Sequence, residues 1–459
     1  MTLIKSISGI RGTIGGSVGR NLTPLDAVKF ASAYGTWLKQ RSLRDFKIVV
    51  GRDARISGSI IQSLVQSSLQ SLGIDIIDLG VSTTPTVEIA VPMENASGGI
   101  ILTASHNPKE WNALKLLNEK GEFVSSRDGQ EILSIAEKED FTFSDVDNLG
   151  SLVYKNYLQK HLEMVLSLSV IDISLVKSAN FKVVVDGVNS SGGIYIPALL
   201  RMMGVEVVEL YCNPNGYFPH NPEPLPENLS DLCEVVVSSS SDLGFVVDPD
   251  VDRLAIVCED GSMFGEEYTL VAVADHVLKT KKGDTVSNLS STQALKDVSD
   301  KHGVNHHYSA VGEVNVVEKM KEVNSPIGGE GNGGIIYPEL HYGRDSLVGV
   351  AIFLTHLAQS KMTCSSLRKT YKNYYMSKDK IQLSPRTDID AILSKISRIY
   401  SNEQIDLRDG VKINFSKEWV HMRKSNTEPI VRIYSESTSL EKANKLTLRF
   451  IEEIKSVMN

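Results

Sequence analysis

Three aspartates at alternate positions are the most chemically suggestive feature of the sequence. Asp248, Asp250 and Asp252 lie in the segment VVDPDVDRLAIV, with Arg253 directly after them. Carboxylates this close repel one another unless a cation neutralises them, and Mg²⁺ favours oxygen ligands of this kind. Because apolar residues bracket the cluster on both sides, a solvated acidic loop is the less favoured interpretation. The pattern therefore predicts a divalent metal site.

Two other interpretations of the aspartates can be checked against their neighbours. An EF-hand calcium loop needs Gly at its sixth position, but Arg253 stands there, followed by the strand-like LAIVC. An aspartyl-phosphate phosphatase also uses Asp-x-Asp after an apolar strand, but its usual Thr or Val two positions further on is replaced by Asp252. Calcium sensing is thus disfavoured. A metal-dependent phosphatase stays open as an alternative that rests on this cluster alone.

A serine beside a histidine offers a candidate nucleophile. Ser105 and His106 lie in ILTASHNP, where an apolar run leads into a polar loop that ends at Pro108. A serine presented at the end of a strand can form a covalent intermediate. On these residues alone, a turn in which Ser and Asn side chains satisfy backbone groups is the simpler interpretation.

Two further segments carry residue types suited to a phosphorylated sugar. The segment 327–345 (IGGEGNGGIIYPELHYGRD) combines glycines with Glu330 and Asn332, which can hydrogen-bond neighbouring hydroxyls. The segment 420–434 (VHMRKSNTEPIVRIY) offers the donors that a phosphate dianion needs. These donors are Arg423, Lys424, Ser425, Asn426, Thr427 and Arg432. A glycine-rich turn and an exposed basic turn are the alternatives, and the absence of G-x-x-x-x-G-K-[ST] disfavours a P-loop kinase.

Composition limits the possible partners and surroundings. The chain has 459 residues and a net charge of −8, which excludes the basic footprint of a nucleic-acid or anionic-membrane binder. Its four cysteines are scattered without a C-x-x-C pair, which argues against a zinc site or a disulfide framework. No stretch of 18 apolar residues occurs, and the N-terminus lacks the apolar run of a signal peptide. We therefore expect a cytoplasmic enzyme.

An internal repeat indicates how these segments are positioned. FKIVVGRD (46–53) and FKVVVDG (181–187) are apolar runs typical of strands buried on both faces of a sheet, and 283–312 is a weaker third copy. Each run leads into a helical pattern, and the three helices end at Gly73, Gly204 and Gly303. The repeat predicts three related α/β domains over 1–150, 151–260 and 261–370. The remainder, 371–459, has the pattern of a small α+β domain.

Five motifs in this order resemble the α-D-phosphohexomutase superfamily, which includes phosphoglucomutase, phosphomannomutase and phosphoglucosamine mutase. They are SGIRG (8–12), TASHNP (103–108), DPDVDR (248–253), GGEGNGG (328–334) and RKSNTEP (423–429). The resemblance spans essentially the whole chain. It implies three α/β domains of one topology with mixed sheets, and a C-terminal α+β phosphate-binding domain, around a central cleft. It leaves a monomer and a homodimer both open.

The resemblance also implies roles for individual residues. Ser105 would carry the transferable phosphate, one oxygen of which joins Asp248, Asp250 and Asp252 around Mg²⁺. The residues in contact with the reacting phosphate and hydroxyl would be Arg11, His106, Lys115 and Arg253. Of these, Lys115 would act as the general acid and base. Glu330 and Asn332 would bind sugar hydroxyls, and the non-reacting phosphate would meet Arg423, Ser425, Asn426 and Thr427. The intermediate and activator would be a hexose 1,6-bisphosphate.

One departure from the family pattern bears on the chemistry. Many relatives end the sugar loop with Gly-Glu-x-Ser-Gly-His, whereas Asn332 and Gly334 stand here in place of the Ser and the His. His341 is a candidate substitute for that histidine. The motifs look most like phosphoglucosamine mutases, so glucosamine 6-phosphate is the expected substrate, with glucose and mannose 6-phosphates as alternatives. A sugar-phosphate-binding protein without turnover is disfavoured by the intact Ser105 and Lys115.

Overall fold

The computed structural model describes residues 2–6, 9–41, 46–383, 388–424 and 430–458. These residues form two compact units: unit 1 comprises Met1–His276 and Asn332–Arg368, and unit 2 comprises Val277–Gly331 and Lys369–Asn459. Among the helices in the described ranges, none is long and apolar enough to cross a membrane.

The first part of unit 1 is built on one mixed sheet. Its elements are β1 (Ile4–Ser6), β2 (Gly9–Thr13), α1 (Pro24–Gln40), β3 (Lys47–Arg52), α2 (Gly58–Ser71), β4 (Asp75–Val81), α3 (Thr84–Met93), β5 (Gly98–Leu102), β6 (Trp111–Leu117), α4 (Ser126–Lys138) and β7 (Leu152–Tyr154). The strand order is β1-β2-β6-β5-β3-β4-β7. The strands β3, β4, β5 and β7 run parallel, whereas β6 is antiparallel to both β5 and β2. All five residues of β5 are buried, as expected for a central strand covered on both faces.

A second sheet repeats this topology. Its part of the chain contains α5 (Leu158–Leu166), α6 (Ile173–Ala179), β8 (Lys182–Asp186), α7 (Gly192–Met202), β9 (Glu206–Leu210), α8 (Ser230–Ser238), β10 (Leu243–Val247), β11 (Leu254–Cys258) and α9 (Glu266–Thr280). The order β11-β10-β8-β9, with only β11 antiparallel, matches β6-β5-β3-β4 of the first sheet. The repeat that the sequence predicts therefore corresponds to a repeated order and direction of strands.

The third copy follows in the chain. Its elements are β12 (Thr285–Asn288), α10 (Ala294–His302), β13 (His306–Ser309), α11 (Glu313–Val323), β14 (Ile327–Glu330), β15 (Gly334–Ile336), α12 (Ser346–Ser360) and α13 (Cys364–Arg368). The strand β12 pairs in parallel with β13 and β14, as β3 does with β4 and β5. Gly73, Gly204 and Gly303 all have φ between 70° and 78°, the left-handed conformation that ends a helix.

The C-terminal part of unit 2 is an antiparallel sheet covered by helices. It contains β16 (Tyr375–Gln382), α14 (Ile389–Ile399), β17 (Gln404–Asp406), β18 (Val411–Asn414), β19 (Trp419–Lys424), β20 (Ile430–Ser437) and α15 (Leu440–Met458). The order is β16-β20-β19-β18-β17. Ile396 of α14 and Phe450 of α15 share a buried core with Val420 and Ile433 of the sheet. This confirms the expected fold class, three α/β copies followed by an α+β domain.

Three chemically distinctive loops leave equivalent strands of the three copies. Residues 103–108 follow β5, residues 248–253 follow β10, and residues 331–333 follow β14. Ligands of α/β proteins bind beyond the carboxyl ends of such strands. The repeat therefore explains why segments far apart in sequence carry related chemistry.

Candidate active site

Ser105 is held at the end of β5 in a buried loop. Its φ of 50° is left-handed, and its backbone N–H donates to the Thr103 hydroxyl at 2.9 Å. The Ser105 hydroxyl donates to Asp248 Oδ2 at 2.6 Å, and its oxygen lies 3.3 Å from His106 Nδ1. The candidate nucleophile therefore forms a direct hydrogen bond with one of the candidate metal ligands.

A buried arginine fixes the backbone of the Ser105 loop. The side chains of Arg55 and Asp53 are both fully shielded from solvent, and Arg55 Nε donates to Asp53 Oδ2 at 2.9 Å. The rest of the guanidinium donates to the carbonyl oxygens of Ser105, Asn107, Pro108 and Trp111. Sequence reasoning missed Arg55. Its signal was the pair of opposite charges in GRDAR, directly after a strand buried on both faces.

The backbone carbonyls of the aspartate loop accept hydrogen bonds from residues of all three α/β copies. The backbone N–H of Thr84 donates to the carbonyl of Asp250 at 2.9 Å, and that of Ser346 donates to the carbonyl of Val251 at 3.1 Å. The Pro249 carbonyl accepts hydrogen bonds from the hydroxyls of Ser190 and Ser191, both at 2.7 Å. These contacts hold Val251 at a φ of 66°, which is unfavourable for a β-branched residue.

Protein donors engage both oxygens of Asp248, one of them through the Ser105 hydroxyl, but only one oxygen each of Asp250 and Asp252. Asp248 Oδ1 accepts the backbone N–H groups of Asp252 and Arg253, both at 3.1 Å. Asp250 Oδ2 accepts hydrogen bonds from Lys115 Nζ at 2.6 Å and from the Thr84 hydroxyl at 2.5 Å. The oxygen that Asp252 commits is Oδ2, which accepts from the Arg344 guanidinium.

The oxygens left over fit a metal ion. One ligand atom from each of the three aspartates lies within 4.8 Å of the other two. Asp250 Oδ1 and Asp252 Oδ1 are buried and have no hydrogen-bond partner. Buried carboxylate oxygens without partners are costly unless a cation binds them. The arrangement therefore suits a hard divalent cation such as Mg²⁺.

The electrostatics of the three carboxylates are unequal. Burial, together with repulsion from Asp252 and Asp250, raises the pKa of Asp248 well above its usual range. Burial acts in the same direction on Asp252, but the charges of Arg344, Lys115 and Arg253 outweigh it and lower the pKa of that carboxyl. Asp252 therefore stays ionised because of its cationic neighbours. Asp248 would need a further positive charge nearby to be ionised.

Three other predicted residues lie beside the serine or the aspartates, namely His106, Lys115 and Arg253, and the charge of a fourth, Arg11, acts on His106. Lys115 Nζ lies 2.6 Å from Asp250 Oδ2 and 3.4 Å from Asp252 Oδ2. Burial lowers the pKa of Lys115, but these two carboxylates outweigh that effect and raise it. Arg253 Nε lies 4.0 Å from Asp252 Oδ1. Burial has the largest effect on His106, and together with the charges of Arg253 and Arg11 it lowers the pKa of this residue, which leaves its ring neutral.

An arginine that sequence reasoning missed lies over Gly334. A Cβ on Gly334 would lie 2.3 Å from Cδ of Arg344, so a side chain at this position would displace the arginine. Arg344 Nη2 donates to Asp252 Oδ2 at 2.7 Å. The glycine that replaces the family's histidine therefore admits a permanent cation to the aspartate cluster.

His341 is engaged elsewhere. Its Nδ1 lies 3.3 Å from Glu88 Oε2 and its Nε2 lies 3.3 Å from Asp345 Oδ2. Burial lowers the pKa of His341, but hydrogen bonds and charges from Asp345 and Glu88 outweigh it and raise that pKa to about 10. A ring held as imidazolium between two carboxylates is poorly suited to exchange protons with a substrate.

The substitution Gly334→Ala tests the placement of Arg344. The added methyl group forces Arg344 away from Asp252, so we expect kcat to fall about tenfold or more. The same substitution should add little in an Arg344→Ala background, because the displaced side chain is already absent. Steady-state kinetics of both single variants and the double variant measure this. If the losses of kcat in the two single variants add up in the double variant, Gly334→Ala does not act by displacing Arg344.

The other predicted ligand residues are distributed over both units. In unit 2, buried Glu330 accepts hydrogen bonds at Oε1 from Asn288 Nδ2 at 2.9 Å and from the Gly312 N–H at 3.1 Å. Arg423 of β19 lies directly opposite Arg432 of β20, which places both on one face of the sheet. In unit 1, Asn332 Oδ1 accepts the N–H of Gly334 at 3.2 Å. Ser425, Asn426 and Thr427 lie outside the described residues.

Comparison with known proteins agrees with this architecture. The sequence matches phosphoglucomutase/phosphomannomutase α/β/α domains I, II and III over residues 3–143, 155–261 and 265–374, and the C-terminal domain over 383–453. A phosphoglucomutase/phosphomannomutase of Thermococcus kodakarensis is 35% identical over 96% of this chain and 98% of its own length. A phosphoglucosamine/phosphogalactosamine mutase of Sulfurisphaera tokodaii is 31% identical over 98% of both chains. A phosphoglucomutase/phosphomannomutase family protein of Burkholderia thailandensis has the same fold, with a TM-score of 0.86, 24% identity and coverage of 100% of this chain and 98% of its own.

Proposed function

The chain belongs to the phosphoglucomutase/phosphomannomutase family and is a phosphohexomutase, and on this premise we propose that it interconverts hexose 6-phosphates and hexose 1-phosphates through a phosphorylated Ser105. The observation that carries the proposal is the 2.6 Å hydrogen bond from the Ser105 hydroxyl into the aspartate cluster, where two buried carboxylate oxygens have no partner. A metal-dependent phosphatase would explain the aspartates but would leave Ser105 without a role.

In the first half-reaction, phosphorylated Ser105 donates its phosphoryl group to a hydroxyl of the bound hexose phosphate. The bond between phosphorus and Ser105 Oγ breaks as a bond to the sugar oxygen forms, and the product is a hexose 1,6-bisphosphate. In the second half-reaction Ser105 Oγ takes the other phosphoryl group back. Transfer of this kind depends on in-line positioning and on neutralisation of the phosphoryl charge.

Proton transfer is assigned to Lys115, which lies beside the aspartates on β6. As an amine, Lys115 would accept the proton of the attacking sugar hydroxyl, and as an ammonium it would give that proton to the sugar oxygen that leaves in the second half-reaction. Ser105 Oγ therefore leaves as an oxyanion and attacks again as one. Mg²⁺ bound by Asp248, Asp250 and Asp252 would polarise a phosphoryl oxygen and offset the carboxylate charge that raises the pKa of Lys115.

The remaining groups around Ser105 bind and orient the phosphoryl group. Arg11 and Arg253 carry permanent charges suited to its equatorial oxygens. His106 is neutral, so one of its ring nitrogens can donate a hydrogen bond without adding charge. The contacts of Arg55 to the loop carbonyls keep Ser105 in one orientation through both half-reactions.

Recognition of the non-reacting phosphate is assigned to Arg423, together with Arg432 and the segment 425–427. We expect Arg423→Ala to raise KM about tenfold or more with little change in kcat, since this phosphate is bound equally in the ground and transition states. The matched control is Arg449→Ala, which removes an arginine paired with Glu453 on helix α15. Steady-state kinetics measure both. A loss confined to kcat would place Arg423 at the reacting centre instead.

The proposed preferred substrate is glucosamine 6-phosphate. The ammonium group of this sugar favours a nearby carboxylate, and Glu330 is a buried candidate. We expect kcat/KM for glucosamine 6-phosphate to exceed that for glucose 6-phosphate and mannose 6-phosphate by about tenfold. The three are compared at equal, saturating hexose bisphosphate. A tenfold preference for either neutral sugar would instead assign the chain a phosphoglucomutase/phosphomannomutase specificity, as named for the Thermococcus kodakarensis relative.

A further inference from the structure

Arg423 lies against an aspartate that the proposed mechanism does not use. Asp409 lies in the turn between β17 and β18, and its Oδ2 is 3.4 Å from Arg423 Nη1. The same oxygen accepts the backbone N–H of Val311 at 3.0 Å. The side chains of Arg423 and Asp409 are 19% and 23% exposed, so water screens their interaction only partly.

The backbone of Asp409 is itself fixed. A Cβ on the next residue, Gly410, would lie 2.2 Å from the Met422 carbonyl, and its φ is 73°, so glycine lets this turn pack against β19. The Asp409 carbonyl accepts a hydrogen bond from His421 Nε2 at 2.6 Å. Burial lowers the pKa of His421 to about 4, so the ring is neutral near pH 7 and its Nδ1 accepts from the Ser290 hydroxyl at 2.9 Å.

The backbone segment that contacts Asp409 also contacts the carboxylate of Glu330 in the sugar loop. Val311 donates its N–H to Asp409, and the next residue, Gly312, donates its N–H to Glu330 Oε1 at 3.1 Å. Two consecutive backbone donors therefore join Asp409 to Glu330. Asp409 also contacts Arg423. It therefore joins Arg423, which the proposed function assigns to the phosphate, to Glu330, which it assigns to the sugar.

We propose that Asp409 is a positioning residue that holds Arg423 and, through the backbone of Val311 and Gly312, Glu330 at a fixed spacing, so that both recognise one hexose phosphate. The inference rests on the proposed function, because that function assigns a ligand to each of the two groups. Asp409 itself touches no substrate in this account. Its effect on binding is exerted through Arg423 and through Glu330.

Binding of hexose 6-phosphates to protein that carries Ser105→Ala tests the proposal without turnover. Isothermal titration calorimetry with glucosamine 6-phosphate and with glucose 6-phosphate gives the dissociation constants. In Asp409→Asn the amide oxygen still accepts the Val311 N–H but the charge beside Arg423 is lost, so we expect about tenfold weaker binding. This loss should vanish in an Arg423→Ala background.

A second variant, Asp409→Ala, distinguishes the effect exerted through Arg423 from the effect exerted through Glu330. Asp409→Ala removes the acceptor for Val311 as well, so we expect weaker binding than in Asp409→Asn. The additional loss should persist with Arg423→Ala and disappear when Glu330→Ala is also present. As a matched control, Asp390→Asn removes a carboxylate from an exposed pair with Lys424, the neighbour of Arg423. Its binding should change less than about twofold.

Several results would overturn the inference. Unchanged or tighter binding by Asp409→Asn would mean that the Asp409 carboxylate does not position Arg423 for phosphate binding. A loss of equal size with and without Arg423 would indicate general damage to the fold. If protein with an intact Asp409 binds neither hexose phosphate, the proposed function fails and this inference fails with it.

Discussion

Ser105→Ala is expected to fold normally and to lose nearly all mutase activity, with kcat lower by at least about 10³-fold. The hydroxyl removed is the one that would carry the phosphoryl group. The other hydroxyl of this loop, on Thr103, is already engaged, because it donates to Asp53 Oδ2 at 2.7 Å. The loop itself should persist, because Arg55 holds it through backbone carbonyls that the substitution does not alter. Coupled assays of hexose 1-phosphate formation give the activity, and thermal unfolding monitors the fold.

The matched control for this substitution is Ser63→Ala. Ser63 lies exposed on α2, and its hydroxyl donates only to the Ser59 carbonyl in the preceding helical turn. Its removal should leave kcat unchanged. Wild-type turnover by Ser105→Ala would exclude the phosphoserine mechanism.

Asp250→Asn is expected to weaken Mg²⁺ binding by at least about tenfold and to lower activity at fixed Mg²⁺ accordingly. The substitution removes one negative charge from a set of three carboxylates whose mutual repulsion is the reason for expecting a cation there. Raising the Mg²⁺ concentration should recover part of the activity. In the unaltered protein, EDTA should abolish activity and Mg²⁺ should restore it.

The control is Asp260→Asn in the turn after β11. Asp260 accepts hydrogen bonds from the backbone and the hydroxyl of Ser262 and lies outside the aspartate cluster. Titration calorimetry should give the same Mg²⁺ affinity for this variant as for the unaltered protein. The same affinity in Asp250→Asn would show that the aspartates are not the metal site.

The repeated α/β architecture was accessible from sequence because its signals are local. Runs such as KVVVD are buried on both faces, and glycines at helix ends adopt the left-handed conformation. A further consequence was also available in the sequence. The segments TASHNP and DPDVDR follow the third strand of the repeated unit, and GEGNGG begins at the end of that strand, so their equivalence could have been inferred from the repeat itself.

The groups that sequence reasoning missed depend on contacts between residues far apart in the chain. Arg344 binds Asp252 across 92 positions, and Arg55 reaches the Ser105 loop across about 50. The segment GRDAR indicates that Arg55 pairs with Asp53 but not that it reaches the Ser105 loop, and no motif spacing connects Arg344 with Asp252. The hydrogen bond between Ser105 and Asp248 spans 143 positions, and only the family resemblance placed these two residues together.

Mass spectrometry of the protein before and after reaction with hexose monophosphate tests the central claim most directly. Protein treated with hexose 1,6-bisphosphate should gain about 80 Da, and peptide mapping should locate this mass on Ser105. Adding excess hexose monophosphate should remove it and yield one equivalent of hexose bisphosphate. A phosphate that never appears on Ser105, or that leaves only as inorganic phosphate, would contradict the account.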